Sequence, residues 1–136
     1  MPDPVRQFNL DDDSAYLPFA ETSAAPIDPR DEGRNLELVS GRLTGAGLNV
    51  GVLRLDPGEH HIPHRHPRGS EFYVFLRGRA IVSIGGEDHP AHRGTVAFAP
   101  AGTTHAIRNV GDERVEVLYG LDAAEYEDVG LVYEEG

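Results

Sequence analysis

An all-β sandwich or barrel is predicted for this chain, and three observations carry the prediction. From residue 35 onward, short runs rich in Val, Ile, Leu, Phe and Tyr follow one another. Gly, Pro and Asp separate them at turn-like intervals, where the chain needs a positive or fixed φ. No apolar stripe of helical period is sustained, and Pro and Gly interrupt too often for helices.

Strands are expected over about 36–42, 47–56, 59–66, 71–77, 79–85, 94–99, 104–110 and 114–121. The turns between them fall at 43–47, Asp56-Pro57-Gly58, Gly85-Gly86-Glu87-Asp88, Pro100-Ala101-Gly102 and Gly111-Asp112. Residues 1–34 are rich in Pro, Asp and Ala, carry three aspartates at 11–13 and show no sustained period. They are expected to form an N-terminal arm, partly ordered or swapped onto a second subunit. The barrel then spans 35–122, and 123–136 is an acidic tail with at most one helical turn near 123–128.

Composition narrows the function. A chain of 136 residues is one domain by length, able to bury roughly two thirds of its unfolded surface. It has no cysteine, which removes disulfides, thiolate catalysis, iron–sulfur clusters and cysteine zinc sites. The start lacks a cationic and apolar leader, and no apolar run approaches membrane-spanning length. A soluble, cytoplasmic protein without membrane contact is expected. Net charge is −11, and all 12 basic residues are Arg. With no basic patch the chain is repelled by phosphate backbones, so nucleic acid is not an expected partner.

Two stretches hold the chemistry: residues 58–78, GEHHIPHRHPRGSEFYVFLRG, and residues 94–109, GTVAFAPAGTTHAIRN. On an extended strand, side chains at i and i+2 share a face, so His64 and His66 point the same way. Glu71 opens the next apolar strand after a PRGS turn, and His105 arrives on a separate strand. Convergence of these four on one ion explains their spacing. Three imidazoles and a carboxylate suit a first-row divalent transition metal (Fe, Mn, Ni, Co, Cu or Zn) better than Mg or Ca.

Alternation assigns the remaining faces. His60, Ile62, His64 and His66 share one parity, Glu71, Tyr73 and Phe75 a second, and His105, Ile107 and Asn109 a third. If the metal is inside, Tyr73, Phe75 and Ile107 line its cavity, with walls from Val96 and Phe98 or from Val115, Val117 and Tyr119. Phe72, Val74 and Leu76 face the other side and need cover, from the arm or another subunit; a homodimer is expected.

These stretches closely resemble the two motifs of the cupin superfamily. The first is carried by Gly58, His64, His66, Glu71 and Gly78, the second by Gly94, Pro100, Gly102, His105 and Asn109. At about 5–10% per position, either match arises by chance on the order of once in a hundred thousand starts. The resemblance extends over about 36–121. It implies a double-stranded β-helix, or jelly-roll barrel, with one metal held by His64, His66, Glu71 and His105. The glycines and Pro100 turn the chain at strand ends.

Other residues have paired readings. His60 is a candidate catalytic or rim residue, as a base, a substrate contact or a donor to a ligand. Tyr73 is a candidate donor to a bound molecule. His61, His89 and His92 are expected at the surface, and Arg54 is expected outward and solvated. A metal with open positions supports a dioxygenase-type oxidoreductase acting on a small, moderately apolar molecule, which is the leading expectation. A non-redox isomerase, lyase or decarboxylase and a non-catalytic small-molecule binder are the alternatives.

Overall fold

A computed structural model describes residues 5, 7–22 and 26–134. The strands are β1 (Leu17–Pro18), β2 (Arg34–Val39), β3 (Asn49–Leu55), β4 (His60–Arg65), β5 (Glu71–Arg77), β6 (Ala80–Ile84), β7 (Glu87–Ala91), β8 (Val96–Ala99), β9 (His105–Asn109), β10 (Val115–Leu121) and β11 (Val132–Tyr133). They form a six-stranded sheet, β1-β2-β3-β10-β5-β8, and a five-stranded sheet, β11-β4-β9-β6-β7, with every pair antiparallel. The all-β jelly-roll expectation holds.

The two sheets bury one core. Leu53, Leu55, Tyr73, Phe75, Val115, Val117 and Tyr119 of the first sheet meet Val82 and Ile107 of the second. Each large apolar side chain fully buried contributes about 1.5–3 kcal/mol, so these inward residues dominate the fold's stability.

Two expected strands change at their ends. The expected strand 36–42 stops at Val39, because Ser40 caps a single turn over Gly41–Thr44, its Oγ accepting from Leu43 N. The segment carrying His89, read as turn-rich and solvated, instead pairs with β6 as β7 through a tight Gly85-Gly86 turn. Pro90 is tolerated there because β7 is an edge strand, where a missing N–H breaks no inner ladder. His89 itself remains exposed, as does His92.

The arm folds back over the outer face of the six-stranded sheet. Tyr16 packs on Leu36 and Val52, and β1 pairs with β2. Arg54 points outward as expected but is not solvated: it is 1% exposed. Its guanidinium lies 3.8 Å from the Tyr16 ring centroid, donates to Leu10 O at 2.6 Å and pairs with Asp13 at 3.0 Å. The arm therefore converts a surface arginine into a buried anchor. Residues 1–4, 6 and 23–25 of the expected arm and 135–136 of the expected tail lie outside the described residues.

Candidate metal centre

The four motif residues come from both sheets. His64 and His105 are direct cross-strand partners on β4 and β9. His66 follows the end of β4, and Glu71 opens β5 in the facing sheet. All four are buried, and one ligand atom from each lies within 4.8 Å of every other. Donors about 2.1 Å from a single ion sit roughly 3–4.3 Å apart, so only a few tenths of an ångström separate this cluster from a coordination shell.

Hydrogen bonds fix how the imidazoles face. Nδ1 of His64 donates to Ile62 O at 2.8 Å, Nδ1 of His66 to Gly130 O at 2.7 Å, and Nδ1 of His105 to Thr103 O at 2.9 Å. A carbonyl oxygen only accepts, so each Nδ1 carries the proton and each Nε2 an inward lone pair. His64 Nε2 and His66 Nε2 are buried without a hydrogen-bond partner among the described residues. His105 Nε2 lies 3.0 Å from Glu71 Oε1, and His66 Nε2 lies 3.3 Å from the same oxygen. Lone pairs crowded on a carboxylate repel unless a cation, a proton or a metal ion, sits among them. The donor set thus fits a single metal ion.

Electrostatics agree. Burial, reinforced by His61, His105 and His66, holds His64 well below the usual imidazole range, so its ring stays neutral and able to ligate. Burial alone would push Glu71 up, but its contacts with His105 and His66 outweigh that and hold it well below the usual carboxylate range. Tyr73 donates to Glu71 Oε1 at 2.7 Å, which ties this phenol to the carboxylate. Burial first, and then Glu71, keep its hydroxyl protonated far above the ordinary tyrosine range.

A family profile described as "Cupin domain" matches residues 51–120. The chain is a cupin. Among its relatives, the dimethylsulfoniopropionate lyase DddW of Ruegeria pomeroyi is 32% identical over 80 residues, 59% of this chain and 51% of the relative. The polyketide synthase CurC of Streptomyces cyaneus is 33% identical over 72 residues, 53% of this chain and 47% of the relative. This cupin therefore matches about half the length of those curated relatives. The crystal structure of a predicted oxalate decarboxylase from Thermotoga maritima superposes with a TM-score of 0.67 at 23% identity, over 80% of this chain and 92% of that one; at that identity it bears on fold alone.

Several residues of the cupin lie elsewhere than alternation predicted. His60 is outside the site: it is half exposed on the outer face, opposite Arg108 and 3.7 Å from Glu32. His61, expected at the surface, is 4% exposed and faces in. The cause is a bulge in β4, where His61 opposes Ile107 and His64 opposes His105, three residues matched against two. Phe98 also leaves the predicted wall; it is 57% exposed on the outer face of β8, and Val96 is exposed beside it. Phe72 opposes Phe98 on β5, and both point away from the metal. Phe75 and Ile107 are buried in the interior, with Val115, Val117 and Tyr119.

Residues that no motif marks complete the surroundings. Asp31 Oδ1 accepts from His61 Nδ1 at 2.7 Å and from Ile62 N at 3.0 Å, while Oδ2 accepts from Tyr133 at 2.8 Å. Burial alone would lower His61, but the Asp31 carboxylate outweighs it and raises the imidazole. The His61 ring lies 4.2 Å from the His64 ring, centroid to centroid. Asp31 belongs to the arm and Tyr133 to the tail, segments whose sequence carries no period from which to place them. Among the described residues no helix is long and apolar enough to cross a membrane.

Proposed function

We propose that this cupin is a metal-dependent enzyme that binds a small carboxylate at an ion held by His64, His66, Glu71 and His105, and that its chemistry is of the lyase or decarboxylase type. The observation that carries the reading is the convergence of three Nδ1-protonated imidazoles and one carboxylate on a single buried point. A first-row divalent metal bound there supplies Lewis acidity and open positions for an oxygen ligand. Arg54 is the only buried arginine among the described residues and serves the arm, so the interior offers no guanidinium to anchor an anion. An anionic group is held there through the ion.

The chain's own groups handle the rest. Tyr73, Phe75, Val82 and Ile107 exclude water from the interior. His61 keeps its Nδ1 proton on Asp31, which leaves Nε2 as the ring atom that exchanges a proton; an elimination needs it to take one from carbon, and a decarboxylation needs it to return one to carbon after CO2 leaves. Relatives named as a dimethylsulfoniopropionate lyase and as an oxalate decarboxylase support this chemistry by analogy. The dioxygenase reading uses the same ligands and is favoured by the apolar interior. A homodimer through the outer face of β5 and β8 accompanies either reading.

Metal analysis and turnover assays decide between them. Protein reloaded with Fe(II), Mn(II), Co(II) or Ni(II) is expected to convert small carboxylates under nitrogen, and His105→Ala is expected to lose stoichiometric metal while staying folded. Oxygen consumed in proportion to product would establish the dioxygenase instead. A His105→Ala variant that kept full metal would sink the ligand assignment.

A further inference from the structure

The chain has five tyrosines. Four have hydroxyls bonded within the protein: Tyr16 to Leu10 O at 2.9 Å, Tyr73 to Glu71 at 2.7 Å, Tyr119 to Asn35 at 2.8 Å and Tyr133 to Asp31 at 2.8 Å. Tyr126 is the exception. It is 6% exposed, and its hydroxyl has no hydrogen-bond partner among the described residues. Buried hydroxyls are almost always paired, because an unpaired one loses its water without replacement.

Its position gives the missing partner an address. Tyr126 opens a single 3₁₀ turn, Tyr126–Val129, that the tail lays against the metal centre. Its ring stands edge-on to His66, 5.3 Å between centroids, and edge-on to Phe19 at 5.5 Å. The turn is pinned there: Gly130 O accepts the His66 Nδ1 proton, and a side chain on Gly69 would collide with Val129. A phenol hydroxyl carries a proton to give, so Tyr126 brings an unused, buried hydrogen-bond donor on a ring packed against the ligand His66.

We propose that Tyr126 is a ligand-binding residue of the metal centre, its hydroxyl donating to an oxygen of the small carboxylate that the ion holds. The tail then serves as a recognition element of the site as well as its cover. This inference rests on the reading of His64, His66, Glu71 and His105 as a metal centre for small carboxylates. It gives the two parts of the site separate duties, the ion taking the charge and Tyr126 fixing orientation.

Calorimetric titration of wild-type, Tyr126→Phe and Tyr119→Phe proteins, first with Co(II) and then with acetate, glycolate and oxalate on the Co(II) form, tests it. Tyr126→Phe is expected to bind Co(II) within about twofold of wild type and the carboxylates about 10- to 30-fold more weakly, the loss of one hydrogen bond to a charged acceptor. Tyr119→Phe, whose hydroxyl is occupied by Asn35, is expected to leave carboxylate binding unchanged. Carboxylate affinity equal to wild type in Tyr126→Phe overturns the inference alone. So does Co(II) affinity falling in step with carboxylate affinity, which would make Tyr126 a support for His66. A Co(II)-loaded wild type that binds none of the three overturns the small-carboxylate reading together with this inference. Wild-type protein that takes up no Co(II) overturns the metal reading and this inference with it.

Discussion

Strands β4 and β5 both deliver ligands to the same point from opposite sheets, yet they obey different rules. Along β5 the alternation is unbroken: Glu71, Tyr73 and Phe75 face in, and Phe72 and Leu76 face out. Along β4 it slips by one residue, so His61 and His64 share the inner face while His60 turns out. The difference lies in the backbone. Pro63 has no N–H to give the ladder, and the Ile62 N–H goes to the Asp31 carboxylate. Period-2 reasoning holds while the ladder is continuous and fails where a side chain from elsewhere takes over a backbone bond.

Asp31 is where that contrast breaks most readily. Replacing it with Ala strands two buried donors, Ile62 N–H and His61 Nδ1–H, and deprives Tyr133 of its acceptor. At about 1–3 kcal/mol for each buried donor left unpaired, Asp31→Ala is expected to cost about 3 kcal/mol in urea unfolding of the metal-free protein. It is also expected to weaken metal binding on the order of 10- to 100-fold, because His64 is presented by the bulge that Asp31 holds. Asp31→Asn keeps an oxygen for Ile62 and sharpens the comparison: most of the stability should return. Equal losses in both variants would show that charge, rather than the bulge's backbone bond, holds β4.

The same contrast explains what was legible in the sequence. The ligand set and the barrel follow from motif spacing and turn residues, and the inner faces of β5 and β9 follow from strand alternation. The motif glycines behave as turn residues, and at Gly78 (φ +82°) an added Cβ would also stand 2.5 Å from Arg114 O. His61, Asp31, Tyr126 and Tyr133 were not legible, since their roles arise from contacts between distant, aperiodic segments. Arg54 was half legible: its direction follows from parity on β3, but the arm that buries it does not. Phe98 departs from the expected wall because apolarity alone does not say which face of a strand a residue takes, and the register of β8 against β5 sets it outward opposite Phe72.

Titration separates the strands next. On β4 the metal-free native state keeps His64 neutral well below the ordinary 6.5, so the unfolded chain binds a proton that the native state refuses. Stability is then lost as pH falls below 6.5. His61 has the opposite sign: its raised native value means stability present below 6.5 is lost as pH rises from 6.5 through that value. Glu71 on β5 is depressed, so its contribution is present above 4.5 and lost as pH falls below it. Urea midpoints measured in EDTA are therefore expected to peak near pH 6.5, with β4 responsible for both shoulders. His61→Asn should remove the alkaline decline and leave the acid one. An alkaline decline that survived the substitution would contradict the assignment.

The smallest effect on folding is expected on the outward side of β5, where regular alternation exposes an apolar surface. The arm covers the outer face around Leu36 and Val52 with Tyr16, but nothing in the described chain covers Phe72 and Phe98, which share a groove with Leu48 and Leu121. Phe98→Asp introduces a charge at an already exposed position, so unfolding free energy should change by no more than about 0.5 kcal/mol. If two copies cover this face for each other, sedimentation should shift from dimer to monomer, because a carboxylate would be buried against the partner's phenylalanines. A variant that stays dimeric would move the contact away from β5 and β8. A wild type that sediments as a monomer would show that Phe72 on β5 and Phe98 on β8 face outward as a consequence of strand alternation alone.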